Sequence, residues 1–267
     1  MNKSTNHTIA TWSPITFALG FIFRHAKILF ISLVLVALTS LLTWVGYLVT
    51  IHLATGLTGH FFQQAPVTEG ISGWFLAKGW WLLKILFLVV SRFIAFYLAF
   101  LLAFTLTSPG YVFLSTATEK TCLGEKFQED APFSWSGVFI DLIEAGKIAI
   151  MGIVVTIIAL LLNVVPLIGQ ALVFMLYCYY SALMFVDYPA SRRRWRLGRK
   201  IAWLKSNWWP ALRLGLLPAL VSLIPFVNIF FMAILFPLLT VHTTLNFVTF
   251  EKSVAIASPD QISTDAG

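Results

Sequence analysis

Residues 148–186 read IAIMGIVVTIIALLLNVVPLIGQALVFMLYCYYSALMFV, without a single Asp, Glu, Lys or Arg. Residues 214–250, LGLLPALVSLIPFVNIFFMAILFPLLTVHTTLNFVTF, are equally free of charge. A membrane-crossing helix needs about 20 apolar residues, so each stretch is roughly two spans long. Each also carries a proline-centred break, Val165-Pro166-Leu167-Ile168-Gly169 in the first and Ile224-Pro225-Phe226-Val227-Asn228 in the second. Proline disfavours helix at the residue before it, so both stretches predict helical hairpins. The common order of apolar, Pro, apolar, apolar and then a small or turn-forming residue points to an internal repeat. Ala211–Ile224 supplies only about 21 Å of helix, and Ile148–Val165 lies near the lower limit for a span. The hairpins therefore either re-enter, with turns enclosed by protein or a water cavity, or cross as short pairs.

Outward from these hairpins, the composition agrees. Of 267 residues, 59% are hydrophobic and 11% charged, against roughly 25% charged in soluble domains. Mean hydropathy is +0.87. The expectation is an all-α integral membrane protein forming one membrane domain over 1–267: two long transmembrane helices and two proline-broken hairpins. The first transmembrane helix covers 28–53, fed by an interfacial helix over 15–27, and an external loop follows at 54–72. The second covers 79–107, interrupted by Lys84 and Arg92, and Ser108-Pro109-Gly110 is expected to end it. A cytoplasmic acidic and amphipathic segment follows at 108–147, then hairpin 1 at 148–186. A cytoplasmic basic amphipathic helix occupies 187–213, hairpin 2 occupies 214–250, and 251–267 reads as a flexible tail. Residues 1–13 are mostly polar and the first uncharged run, from Ile28, is too long for a signal-peptide core, so it reads as an uncleaved span.

The formal charge is +7, and it is concentrated. Arg192, Arg193, Arg194, Arg196, Arg199, Lys200, Lys205 and Arg213 fall in one connection. The positive-inside rule places that connection, the N-terminus with Arg24 and Lys27, and the C-terminus on the cytoplasmic side. Membrane lipids are the expected partner of this basic patch, Arg192, Arg193, Arg194 and Arg196 above all. A role in concentrating anions at a pore mouth competes with plain topology signalling. Nucleic acid is not an expected partner, because the run is short and hemmed in by membrane segments. Cys122 and Cys178 form no disulfide framework. No metal-ligand spacing, nucleotide-binding loop or catalytic motif occurs, so neither a metal, a cofactor nor enzymatic chemistry is expected.

A few polar residues stand where polarity is costly. Arg92 lies inside a span, where an ionisable group marks either function or a packing partner. Arg24 and Lys27 could bind an anion with backbone N–H groups of the first span, or anchor it at the interface. Asn163, Gln170 and Asn228 sit beside the hairpin turns built on Pro166, Gly169 and Pro225. Their amides would cap freed backbone groups or line a polar path.

The stretch Met184-Phe185-Val186-Asp187-Tyr188-Pro189, the basic segment, Gly215 and Ile224-Pro225-Phe226-Val227-Asn228 together resemble the CysZ-type sulfate transporters, a family that includes the etoposide-induced membrane proteins. Pro166-Leu167-Ile168-Gly169-Gln170 and Ser108-Pro109-Gly110 agree with it, and the likeness runs from about Gly20 to Phe247. The resemblance implies two long spanning helices, two partially penetrating hairpins, assembly into homo-oligomers, and a bacterial inner-membrane protein that conducts sulfate. Two positions depart from the pattern. The family's Gly-Leu-Arg at the start of its first span falls here on His25-Ala26-Lys27-Ile28, and its Gly-Ala-Thr after the second hairpin falls near Leu238-Leu239-Thr240. The expected function is a transporter or channel for an inorganic anion, sulfate foremost, without ATP coupling. Arg24, Lys27 and Arg92 are its expected substrate-binding residues. The alternative is a non-transporting membrane scaffold or envelope-homeostasis protein that keeps the fold.

Overall fold

A computed structural model describes residues 12–63, 70–127, 134–222 and 225–257; for 57–63, 70–72, 225–231 and 252–257 it describes the backbone alone. Among the described residues every regular element is a helix. In order they are α1 (Ile15–Arg24), α2 (Ala26–Gln63), α3 (Gly70–Leu123), α4 (Trp135–Leu162), α5 (Ile168–Arg192), α6 (Leu197–Ser206), α7 (Trp208–Ser222) and α8 (Pro225–Ala257), with one 3-10 turn at Gly124–Lys126. Five of them, all but α1, α6 and α7, contain a stretch long and apolar enough to cross a membrane. The all-α membrane class read from composition is the class observed.

Several boundaries differ from those the sequence predicts. The first correction concerns α2, which runs on to Gln63, through most of what reads as an external loop. Gly56 and Gly59 each cost a helix only about 1 kcal/mol, and the next proline, Pro66, lies beyond its end. The second concerns α3, a helix of 54 residues, which passes through Pro109 instead of stopping there. Proline removes one ladder bond, which membrane helices tolerate. The carbonyl that loses its partner is that of Thr105, one turn before Pro109. Thr105 Oγ1 and Thr107 Oγ1 themselves bond back to Leu101 O at 2.9 Å and Ala103 O at 2.7 Å, so their own polarity is met inside the helix. Third, 187–213 is not one amphipathic helix. α5 carries it to Arg192, Arg194 turns the chain with φ +55, and α6 and α7 follow as separate helices. Finally, α8 continues to Ala257 where a tail reads from 251; residues 258–267 lie outside the described residues.

The chain divides into two compact units, Met1–Val36 with Ser108–Gly267, and Ala37–Thr107. In the second unit α2 and α3 approach closely at Gly46, where a Cβ would lie 3.2 Å from the Ala99 Cβ. The first unit holds both hairpins. Its core is aromatic and small: Tyr111 rests against Tyr188 and Phe236, with ring centroids 5.3 and 5.2 Å apart, and Phe185 against Phe236 at 4.9 Å. α5 and α7 cross at Gly215, whose Cβ, had it one, would collide with the Cys178 carbonyl oxygen. Small residues at crossings let backbones approach in a membrane, where lipid offers no hydrophobic drive to associate.

Candidate functional site

The first hairpin turn lies at its proline break, whereas residues 223 and 224 of the second lie outside the described residues. Between α4 and α5 the chain turns over Asn163–Leu167, and Leu167 takes φ +64, ψ −63. Ile168 N–H donates back to Pro166 O at 2.7 Å, which makes this a tight γ-turn, a strained geometry for a non-glycine residue. Gly169 is buried here, since a side chain would collide with the Leu162 carbonyl. The amides do less than the sequence implies. Asn163 closes α4 through its backbone N–H, donated to Ala159 O, while the side chains of Asn163 and Gln170 are exposed. The turn itself is apolar and open, with Val164 79% and Leu167 81% exposed. At the second turn Pro225 opens α8, the first-turn position that suits its missing N–H. Asn228 lies in that helix, and its side chain is outside the described residues.

Arg24 and Lys27 flank the break between α1 and α2. His25 leaves helical geometry at φ −119, ψ 96, and its Nδ1 pairs with Phe21 O at 2.8 Å. α2 then starts at Ala26. Leu29 N–H donates to His25 O at 3.0 Å, and a helix start leaves the N–H groups before that one without intrahelical acceptors. Both cationic side chains are exposed, and no acidic residue precedes Glu69 in the chain. Arg92, also exposed, is on α3 in the other unit. The structure therefore groups Arg24 with Lys27 at one helix start, with Arg92 in a separate unit.

The basic patch is rearranged most. Arg192 Nη2 donates to Glu119 Oε1 at 2.8 Å, and Arg193 Nη2 reaches the same oxygen at 3.2 Å and pairs with Glu251. Arg193 also stacks over Phe247, 5.0 Å from its centroid. Arg194 lies against Gly137 near the start of α4, where a glycine Cβ would collide with its guanidinium. Lys200, fully buried, bonds Asp187 Oδ1 at 2.5 Å and Ser191 Oγ at 3.1 Å. Glu144 accepts from Lys147 at 2.5 Å and from Leu197 N–H at 2.8 Å. Three of the basic residues in the segment, Arg192, Arg193 and Lys200, are thus turned into the protein, and Arg194 stays exposed beside Gly137. Arg196 remains exposed.

This network of Glu119, Asp187, Lys200 and Glu251 is what reading the sequence as a lipid-facing patch misses. A signal for it exists. Each uncharged stretch ends on a carboxylate, Asp187 after 148–186 and Glu251 after 214–250. An acid at the edge of an apolar run requires a partner, and the basic segment supplies both. The pairing was not legible because cation spacing along a chain does not say which cations turn inward. Elsewhere several buried or half-buried polar groups find partners, some of them distant along the chain. Ser115 Oγ and Thr244 Oγ1 share a bond at 2.8 Å, Asn246 bridges to Ser13 N–H at 2.9 Å, and Thr240 Oγ1 donates to Phe236 O at 2.8 Å.

The family described as Sulfate transporter CysZ/Etoposide-induced protein 2.4 matches this chain over residues 15–233, from the start of α1 into α8. A protein of Pseudomonas paraeruginosa named Sulfate transporter CysZ is 27% identical over 179 residues, 64% of this chain and 70% of its own. A protein of the same name from Pseudomonas aeruginosa shows the same identity and coverage. With all of α1–α7, the first hairpin and the Asp187–Lys200 pair inside the matched region, the chain belongs to the Sulfate transporter CysZ/Etoposide-induced protein 2.4 family.

Proposed function

We propose that this protein is a transporter or channel conducting an inorganic anion, sulfate first, down its own gradient and without ATP. Its relatives are named for sulfate transport, and no nucleotide-binding motif stands in the sequence. The observation that carries the reading is the α1–α2 junction. Arg24 and Lys27 lie within one turn of each other at an exposed helix start, in a segment with no acid to neutralise them. A helix N-terminus contributes about half a positive charge, so an oxyanion there meets two side chains and the backbone. Arg92 would offset the anion's charge inside the bilayer, and the turns at Pro166 and Pro225 would frame the path. The protein would work as a homo-oligomer in a bacterial inner membrane, with both termini cytoplasmic.

Labelled-sulfate uptake into proteoliposomes tests this, with empty liposomes and Lys27→Ala, Arg92→Ala doubly substituted protein as controls. Uptake above background that the double variant loses is the expected result. No uptake by folded, inserted protein would sink it. The second reading, a membrane scaffold without transport, draws on one observation: His25-Ala26-Lys27-Ile28 stands where the family has Gly-Leu-Arg, and lysine lacks the planar fork that grips an oxyanion in two places.

A further inference from the structure

We infer that the outward face of α6, with the first turn of α7, is a docking surface for anionic phospholipid headgroups. The inward face of α6 carries Lys200 and Leu204, both buried, with Lys200 held by Asp187. On the opposite side Gly198, Arg199, Ala202, Lys205 and Ser206 are all exposed, and Arg196 is exposed at the N-cap. At about 100° per residue these outward positions fall on one side of a single short helix. Its bulky apolar groups point inward and its small residues outward, so Arg196 and Lys205 stand among small residues while the Arg199 guanidinium lies over the Trp195 ring, 4.6 Å from its centroid.

Charge complementarity decides the partner. No carboxylate occurs between Asp187 and Glu251 in the chain. Of the carboxylates near α6, Asp187 is held by Lys200 and Glu144 by Lys147 and Leu197 N–H. Asp141 of α4 lies close enough to feel the charges of Arg194 and Lys200, neither of which is among the outward cations. Among the described residues Arg196, Arg199 and Lys205 enter no ion pair, and Arg199 meets only the face of the Trp195 ring. Directly after them Trp208 and Trp209 stack at 4.6 Å, and they stand 48% and 58% exposed. Exposed tryptophan pairs mark the water–lipid interface, where the ring is buried and the indole N–H stays wet. Cations one helix upstream then sit at headgroup level, each worth about 1 kcal/mol against an anionic leaflet. Nucleic acid would also complement the charge. It gives no reason for two open tryptophans at the start of a mostly apolar helix.

The test uses full-length protein reconstituted in phosphatidylcholine bilayers doped with spin-labelled phosphatidylglycerol or spin-labelled phosphatidylcholine. The motionally restricted fraction reports which lipid the protein holds. The expected result is a preference for phosphatidylglycerol that falls about fivefold or more in Arg196→Gln, Arg199→Gln, Lys205→Gln protein. Arg196→Lys, Arg199→Lys protein should keep it, since the attraction depends on charge. All three side chains are exposed, and unchanged circular dichroism confirms that the variants stay folded. A wild-type protein with no preference, or a triple variant that retains it, would overturn the inference. So would a preference abolished by inorganic phosphate at constant ionic strength, which would mark a free-anion site.

Discussion

Helices α4 and α8 both belong to the unit that holds the hairpins, yet they treat their apolar residues in opposite ways. α4 has the more apolar membrane-length stretch, and only 33% of that stretch is buried; the less apolar stretch of α8 is 67% buried. Ile150, Ile157, Leu160 and Leu161 of α4 are each more than half exposed. On α8 it is Thr240, His242, Thr243, Thr244 and Asn246 that are buried. In water this arrangement would be inside out. In a bilayer it is the stable one, because lipid tails solvate Leu and Ile while hydroxyls and amides need partners inside the protein. The comparison teaches that in this family member the most hydrophobic helices are the peripheral ones, and that polarity marks the core.

The comparison breaks most sharply at its most polar point. Lys200→Met strands Asp187, which is fully buried and accepts from Lys200 and Ser191. Leaving one partner of a buried pair unpaired costs about 3–5 kcal/mol, so the variant should unfold at a markedly lower Tm in detergent. Asp187→Leu added to Lys200→Met should recover much of that loss, and failure to recover would mean that the charges do more than pair. Next, Gly215→Ala forces a methyl group onto the Cys178 carbonyl at the α5–α7 crossing. The expected cost is about 1–3 kcal/mol, read from the same melting curves. A smaller effect is expected at Thr244→Val, which removes the bond to Ser115. Hydrogen bonds between membrane helices average about 0.6 kcal/mol, and a double-mutant cycle with Ser115→Ala should return a coupling of that size. The smallest is Ile157→Ala on the open face of α4, expected within about 0.5 kcal/mol. In a water-facing comparison a buried isoleucine truncated to alanine costs about 2–5 kcal/mol. A large loss at Ile157 would show that protein rather than lipid covers this face.

Much of the fold was legible before any coordinate. Two uncharged runs, each with a proline in the middle, are enough to place α4–α5 and α7–α8, because proline's geometry and the length of a span act locally. The break at His25 was not legible, since 15–27 reads as one interfacial helix whereas α1 ends at Arg24 and α2 starts at Ala26. Boundaries that depend on neighbours were not. Pro109 reads as a stop, yet α3 continues to Leu123, where Tyr111, Ser115 and Glu119 find α5, α8 and the basic segment. Gly56 and Gly59 read as loop, yet their helix propensity is overruled within α2.

What the sequence determined by itself is the solvent and the span plan: a chain 11% charged cannot cover itself against water, and its uncharged runs are sized to lipid. What only the tertiary structure decided is the direction each cation faces. Arg192, Arg193 and Lys200 turn inward to Glu119, Glu251 and Asp187, whereas Arg196, Arg199 and Lys205 turn outward. Along the chain these residues are near-equivalent. They part because Arg194 adopts a left-handed turn, and because acids up to 74 residues away come within hydrogen-bond reach only once the helices have packed.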